Sequence, residues 1–180
     1  PLAGKSGIGH TRWDTHGAPS VTNAHPHKAG PVAVVHNGIV ENFRELREML
    51  ATKGYKFVTE TDTETVALLA QSFVDAGKSP IEVANATIDA LTGAFALCFL
   101  FDGEDDLLIA ARKGSPLAIG HGEGEMYVGS DAIALAPMTD QVTYLEEGDR
   151  AIITRTSLEI CDETGAQVQR PRREIKIDAT

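Results

Sequence analysis

Cysteine is scarce in this 180-residue chain: Cys98 and Cys161 stand far apart, and there is no Cys-x-x-Cys pair. That argues against a disulfide framework, a zinc ribbon and a dithiol redox motif, and it predicts a reducing, cytoplasmic compartment. Long hydrophobic runs are missing as well, so neither a membrane span nor a cleavable signal region is predicted. Basic side chains are outnumbered, 16 against 26 acidic ones, for a formal net charge of −10. Such a field repels nucleic acid and anionic membrane surfaces except at local basic patches, so neither is an expected partner. An initial methionine is absent too, and the densest motif follows within a few residues. Together these predict that part of the natural protein precedes Pro1. The length suits one domain with a core large enough to dispense with disulfides or a structural metal.

What is present concentrates first in Gly9-His-Thr-Arg-Trp-Asp-Thr-His-Gly17, where two histidines, an arginine, an acid, two hydroxyls and the single tryptophan stand between glycines. Arg12 offers a planar fork of donors suited to a carboxylate or phosphate, so an anionic ligand is expected here. An exposed charged loop with a half-buried Trp13 is the structural alternative. Gly4-Lys5-Ser6 has the ending of a phosphate-binding loop without the earlier glycine that the full pattern needs. His25 and His27 have a spacing that can reach one metal, but no nearby carboxylate or cysteine completes a ligand set, and loop hydrogen bonding is the expected role.

Val32 to Val35 reads as a short buried strand that delivers His36-Asn37-Gly38 at its end. Asn37 with the backbone N–H of Gly38 makes the donor pair of an oxyanion hole, whereas an Asn-Gly hairpin turn is the competing reading. A helix follows, with Asn42 as its cap, Glu45 three residues on, Phe43, Leu46 and Leu50 on one face, and Gly54 as its stop. Lys56 to Val58 is predicted as a strand. Thr59-Glu60-Thr61-Asp62-Thr63-Glu64 then caps a second helix, whose buried stripe is Val66, Leu69, Ala70 and Phe73. Asp62 is either a plain capping residue or a dipole-stabilised carboxylate able to receive an ammonium group. Ser79, Pro80 and Glu82 open a third helix with Ile81, Ala84, Ile88 and Leu91 facing inward. Short β runs follow at Ala94 to Phe101, Leu107 to Ala111, Met126 to Gly129 and Ala151 to Thr154. Cys98 reads as a small buried hydrophobe, and Cys161 has no histidine near it in sequence to activate it. The loops Lys113 to Pro116 and Ser130-Asp131 receive no role.

The stretches His10-Thr11-Arg12-Trp13, Thr15-His16-Gly17, Asn23-Ala24-His25-Pro26-His27, Val35-His36-Asn37-Gly38, Glu60-Thr61-Asp62-Thr63-Glu64 and Tyr144-Leu145-Glu146-Glu147-Gly148-Asp149 run through nearly the whole chain. In that order they resemble the glutaminase domain of the glutamine:fructose-6-phosphate aminotransferases, a family of class II amidotransferases. The resemblance implies an α+β N-terminal-nucleophile hydrolase fold, a four-layer αββα sandwich with two mainly antiparallel sheets. It implies that Arg12 holds the α-carboxylate of glutamine, Asp62 its α-ammonium, and Asn37 with Gly38 the oxyanion. It implies as well that backbone groups at Thr15 and His16 help to seat the substrate and that Trp13 helps to gate the path of ammonia. The family's nucleophile is an N-terminal cysteine, which this sequence does not contain at its start, so the chain alone is expected to be inactive. By the same resemblance, residues 1–180 are a partial glutaminase domain, with 170–180 opening a linker. Fructose 6-phosphate is met only through further isomerase domains, the parent is a homodimer, and no cofactor or metal is implied. The alternatives are a non-catalytic glutamine-binding module and the glutaminase domain of another class II enzyme such as amidophosphoribosyltransferase. Asp14 departs from the family, which has a small alanine there; in an extended segment it would share a face with Arg12 and compete with glutamine for the guanidinium, whereas a local turn would send it to solvent, where screening leaves almost no effect.

Overall fold

The computed structural model describes residues 27–176. In chain order the elements are β1 (His27–Ala29), β2 (Val32–Val40), α1 (Phe43–Thr52), α2 (Asp62–Asp75), α3 (Pro80–Ala90), β3 (Gly93–Phe101), β4 (Leu108–Lys113), β5 (Ala118–His121), β6 (Met126–Gly129), α4 (Ala132–Leu135), β7 (Gln141–Tyr144), β8 (Arg150–Ile153), β9 (Leu158–Cys161), β10 (Gln167–Val168) and β11 (Arg172–Glu174). One sheet has the order β1-β2-β3-β4-β8-β9-β10 and the other β11-β7-β5-β6. Every strand pair in both sheets is antiparallel. The predicted α+β class and the two antiparallel sheets are what the chain forms.

Alternation along the strands builds the layers. In β3, Phe95, Leu97, Phe99 and Phe101 join the core under the three long helices, while Ala96 belongs to a second core with Ala110, Leu117, Ile119, Leu145, Ala151, Ile153 and Ile160. Across the sheet, Cys98 pairs with Ala110, Ala110 with Ala151, and Ala151 with Ile160. Small side chains on that face let the two sheets approach. Because β3 is covered on both faces, its sequence is a continuous apolar run rather than an alternating one. A third, small core of Ala118, Leu135 and Val142 lies where α4 caps the second sheet. Among the described residues the second helical layer consists of that single turn.

The three long helices begin as their sequences dictate, with one exception. Ser79 and Glu82 form a reciprocal capping box with Pro80 in the first turn, and the Thr61 side chain accepts from Glu64 N. Asn42 occupies the cap position of α1 but makes no side-chain capping bond. Its amide instead donates to Ala90 O (2.9 Å) and accepts from Thr92 N (3.0 Å), tying the start of α1 to the end of α3. Helix α2 is not a simple amphipathic stripe: Asp62 through Ala70 are all buried, because α2 packs on β1 and β2 and against both α1 and α3.

Three further expectations are corrected. Residues 56–58 join neither sheet; Phe57 lies beneath the Arg47 guanidinium at 4.1 Å and Val58 N is taken by Glu64. Ile81 is 41% exposed, and Val83, Ala84, Thr87 and Ile88 make the inner face of α3 instead. β2 does not stop at Val35 but continues to Val40. Residues 172–174 pair with β7 as β11.

Candidate functional site

The Asn-Gly step is not a turn. Asn37 and Gly38 lie inside β2, opposite Ala96 and Phe95 of β3. Gly38 has φ +101°, and a Cβ there would stand 2.2 Å from Ala94 O and 2.8 Å from Phe95 Cα. No side chain fits against backbone at that distance, and the left-handed angle is itself costly for any other residue. Gly38 and Ile39 are exposed, so the far end of a central strand presents its backbone to the surface. That exposure suits the approach of a ligand.

Asp62 reaches the same strand end from α2. Its Oδ2 accepts from Val40 N at 3.2 Å, two residues beyond Gly38, and its side chain is only 4% exposed. Being the first residue of α2, it sits where the helix dipole stabilises a negative charge. His36, also buried, bonds Thr63 Oγ1 through Nδ1 at 2.9 Å, and that nitrogen lies 3.8 Å from Asp62 Oδ1.

The approach to α2 is held by a buried polar network. Glu64 accepts from Val58 N, Thr59 N and Thr59 Oγ1, each at 2.9 Å. Arg47, from α1, donates to Thr59 O at 2.7 Å and Thr61 O at 3.3 Å. His27 Nε2 meets Thr61 Oγ1 at 2.9 Å. Carboxylate acceptors and a guanidinium fork thus satisfy backbone groups that a buried loop would otherwise leave unpaired. The threonine-rich stretch therefore orients Asp62, and His27 belongs to strand β1 and this network rather than to an irregular loop. Among the described residues no group of three or more His, Cys, Asp or Glu side chains could hold a metal ion.

The Tyr144 to Asp149 motif builds a corner. Buried Asp149 takes a bidentate pair from Arg170, Nε and Nη2 each at 2.9 Å, and accepts from Glu146 N at 2.7 Å. Glu147 accepts from Gly114 N at 2.9 Å, and Arg112 donates to Leu145 O. The motif thereby clamps the end of β4 and the loop after it.

Of the residues assigned to a site, the structure brings Asn37, Gly38 and Asp62 to one end of β2. Arg12, Trp13, Thr15 and His16, together with Asp14, lie outside the described residues. Neither cysteine suits a nucleophile's role: Cys98 is buried, and burial pushes its thiol up to about 12, while Cys161 lies on β9, four strands away from β2 in the sheet order. Arg47 and Glu64 were not legible as partners from sequence, because residues on different helices meet only after folding. The cue for Glu64 was its place in the threonine-rich motif.

Residues 16–137 match the glutamine amidotransferase domain family. The chain belongs to that family. It is 59% identical over 171 residues to a glutamine–fructose-6-phosphate aminotransferase (isomerizing) of Brucella suis biovar 1, and 58% identical over 179 residues to one of Bradyrhizobium diazoefficiens. The alignments cover 95% and 99% of this chain but 28% and 29% of those relatives' length. Among solved structures, the fold is similar to the B. subtilis glutamine phosphoribosylpyrophosphate amidotransferase, with TM-score 0.67 and 26% identity over 86% of this chain and 34% of that one. The architecture of this glutamine amidotransferase domain is the N-terminal-nucleophile hydrolase sandwich that the motifs imply. No helix among the described residues is long and apolar enough to cross a membrane.

Proposed function

We propose that this chain is the glutaminase part of a glutamine:fructose-6-phosphate aminotransferase. The observation that carries the reading is the convergence of the Asp62 carboxylate and the Asn37-Gly38 step at one exposed strand end, in a chain 59% identical to relatives of that name. A primary amide is a poor electrophile, so hydrolysis needs a thiol nucleophile and donors that take up charge on the carbonyl oxygen. The Gly38 N–H and the Asn37 amide supply those donors. Asp62 receives the α-ammonium and Arg12 the α-carboxylate, so that both charged ends of glutamine are fixed while its side-chain amide lies at the donors. Attack on Cδ gives a tetrahedral oxyanion, which collapses to a thioester as ammonia leaves; water then releases glutamate. The family resemblance implies an N-terminal cysteine as the nucleophile, a role that neither buried Cys98 nor Cys161 on β9 takes. In the complete protein the ammonia passes to fructose 6-phosphate, yielding glucosamine 6-phosphate. Thr15 and His16 help to seat glutamine, and Trp13 gates the ammonia path.

The test is made on the complete protein, assayed for ammonia from glutamine and for glucosamine 6-phosphate. Asp62→Asn keeps an acceptor for Val40 N and removes the charge; it and Arg12→Ala are each expected to lower kcat/KM by about 2–4 kcal/mol, because each loses a charged hydrogen-bond partner of the substrate. Losses below about tenfold at both positions would refute the clamp. The 180-residue chain alone is expected to release no ammonia.

A further inference from the structure

Hydrogen bonds tie β2 to the first turn of α2 on both sides of the Asn37-Gly38 step. Before it, His36 Nδ1 and Thr63 Oγ1 are bonded at 2.9 Å; after it, Val40 N donates to Asp62 Oδ2 at 3.2 Å. The second bond reaches the carboxylate assigned to the α-ammonium. The first reaches its neighbour in the helix and brings the same imidazole nitrogen to 3.8 Å from Asp62 Oδ1. His36 is 3% exposed and Thr63 fully buried, in a layer where Val34, Val40, Val66 and Ala70 belong to one apolar core. Apolar packing is non-directional and holds a helix on a sheet without fixing where along the strand it sits. A hydrogen bond away from water is directional and costly to leave unmade, so it fixes that place.

Glutamine presents its α-ammonium and its side-chain amide at a separation set by its own carbon chain. The carboxylate that receives the first stands on α2 and the donors for the second on β2, so the matching span is a distance between helix and strand. We propose that His36 and Thr63 are positioning residues for the glutaminase reaction, setting the span from Asp62 to the Asn37-Gly38 donors to the length of glutamine. This rests on the assignment of Asp62 to the ammonium and of Asn37 and Gly38 to the oxyanion. The donors are held independently by pairing with Ala96 and Phe95 of β3, whereas Asp62 is the first residue of its helix. Loosening the pair therefore displaces Asp62. Because Asp62 holds the ammonium alike in the ground and transition states, the loss falls on KM and leaves kcat in place. Unfolding of a fraction of the molecules does the reverse, lowering kcat at an unchanged KM.

The experiment compares Thr63→Val, Thr63→Ser, His36→Leu, Asp62→Asn and the double variant Thr63→Val with Asp62→Asn in the complete protein, measuring kcat and KM for glutamine hydrolysis and Tm. Thr63→Val removes the hydroxyl and keeps the shape; His36→Leu breaks the same bond from the strand side without leaving a buried nitrogen unpaired. Each is expected to raise KM about 10-fold with kcat within about threefold, while Thr63→Ser, which keeps the hydroxyl, stays within about twofold of the parent KM. In the Asp62→Asn background Thr63→Val is expected to add less than about twofold, since the charge that it positions is already gone. If Asp62→Asn is impaired while Thr63→Val and His36→Leu keep the parent KM, the positioning role is overturned and the clamp on glutamine survives. A fall in kcat at unchanged KM, a failure of Ser to restore KM, or the full loss recurring without the Asp62 charge overturns it equally. If Asp62→Asn keeps the parent kcat/KM, the ammonium assignment itself fails and the role of His36 and Thr63 with it.

Discussion

Gly38 shows how much one residue can carry. Its φ of +101° and the 2.2 Å between a built Cβ and Ala94 O leave glycine alone at this position. Gly38→Ala is expected to cost at least about 1–3 kcal/mol from the backbone angle, with more from the displaced Ala94 peptide. A urea midpoint equal to the parent's would show instead that β3 yields. The sequence made Asn37-Gly38 visible as a pair but left two readings open, since Asn-Gly suits a hairpin turn as well as an oxyanion site. Only the pairing with Ala96 and Phe95 removes the turn. Cys98 was legible throughout: an apolar neighbourhood predicted burial, and burial keeps its thiol protonated.

Among the elements, the helix starts separate local from tertiary information. The capping box of α3 is written in Ser79, Pro80 and Glu82 and forms as written. Asn42 looks equally like a cap, yet its amide spans Ala90 O and Thr92 N, 48 and 50 residues further on. This yields a discriminating substitution. As a cap, aspartate would replace asparagine at no cost; as a bridge it cannot donate to Ala90 O. Asn42→Asp is therefore expected to lose about 1–2 kcal/mol in denaturant unfolding, and a neutral result would return Asn42 to a capping role. The β pattern was legible for β3 and β4 and largely for β8, but β5, β7 and β9 to β11 are two to four residues long. Runs that short carry too little periodicity to be distinguished from loops. Lys56 to Val58 illustrates the reverse error, since its β-like residues serve as a platform for Arg47 and an anchor for Glu64.

Taken together, the described residues form a stack of helices, sheet, sheet and one short helical turn, and the second sheet holds a pH-sensitive group. His121 on β5 meets Thr143 Oγ1 at 2.7 Å, and burial, with the charge of nearby Arg172, lowers its pKa below the ordinary histidine value. In the unfolded chain the imidazole regains that value and binds a proton more readily than in the fold. Its contribution is therefore intact above about pH 6.5 and is lost as the pH falls from there through the lowered folded value. His121→Gln is expected to flatten the decline in Tm between about pH 7.5 and about pH 5.5. An unchanged slope would place the acid sensitivity elsewhere.

The sequence by itself determined the composition class, the three long helices, the main strands and, through the order of its motifs, the family. Those are properties of local pattern and of residues that stay close along the chain. The tertiary structure decided that the Asn-Gly step lies in a strand, that Asp62 meets that strand end through Val40 N, that Arg47 and Glu64 brace the approach to α2, and that His36 meets Thr63. Each of these joins residues brought together only when helices dock on a sheet or when neighbouring strands pair. Hydrophobic period states which face of an element turns inward, but not what it will meet there.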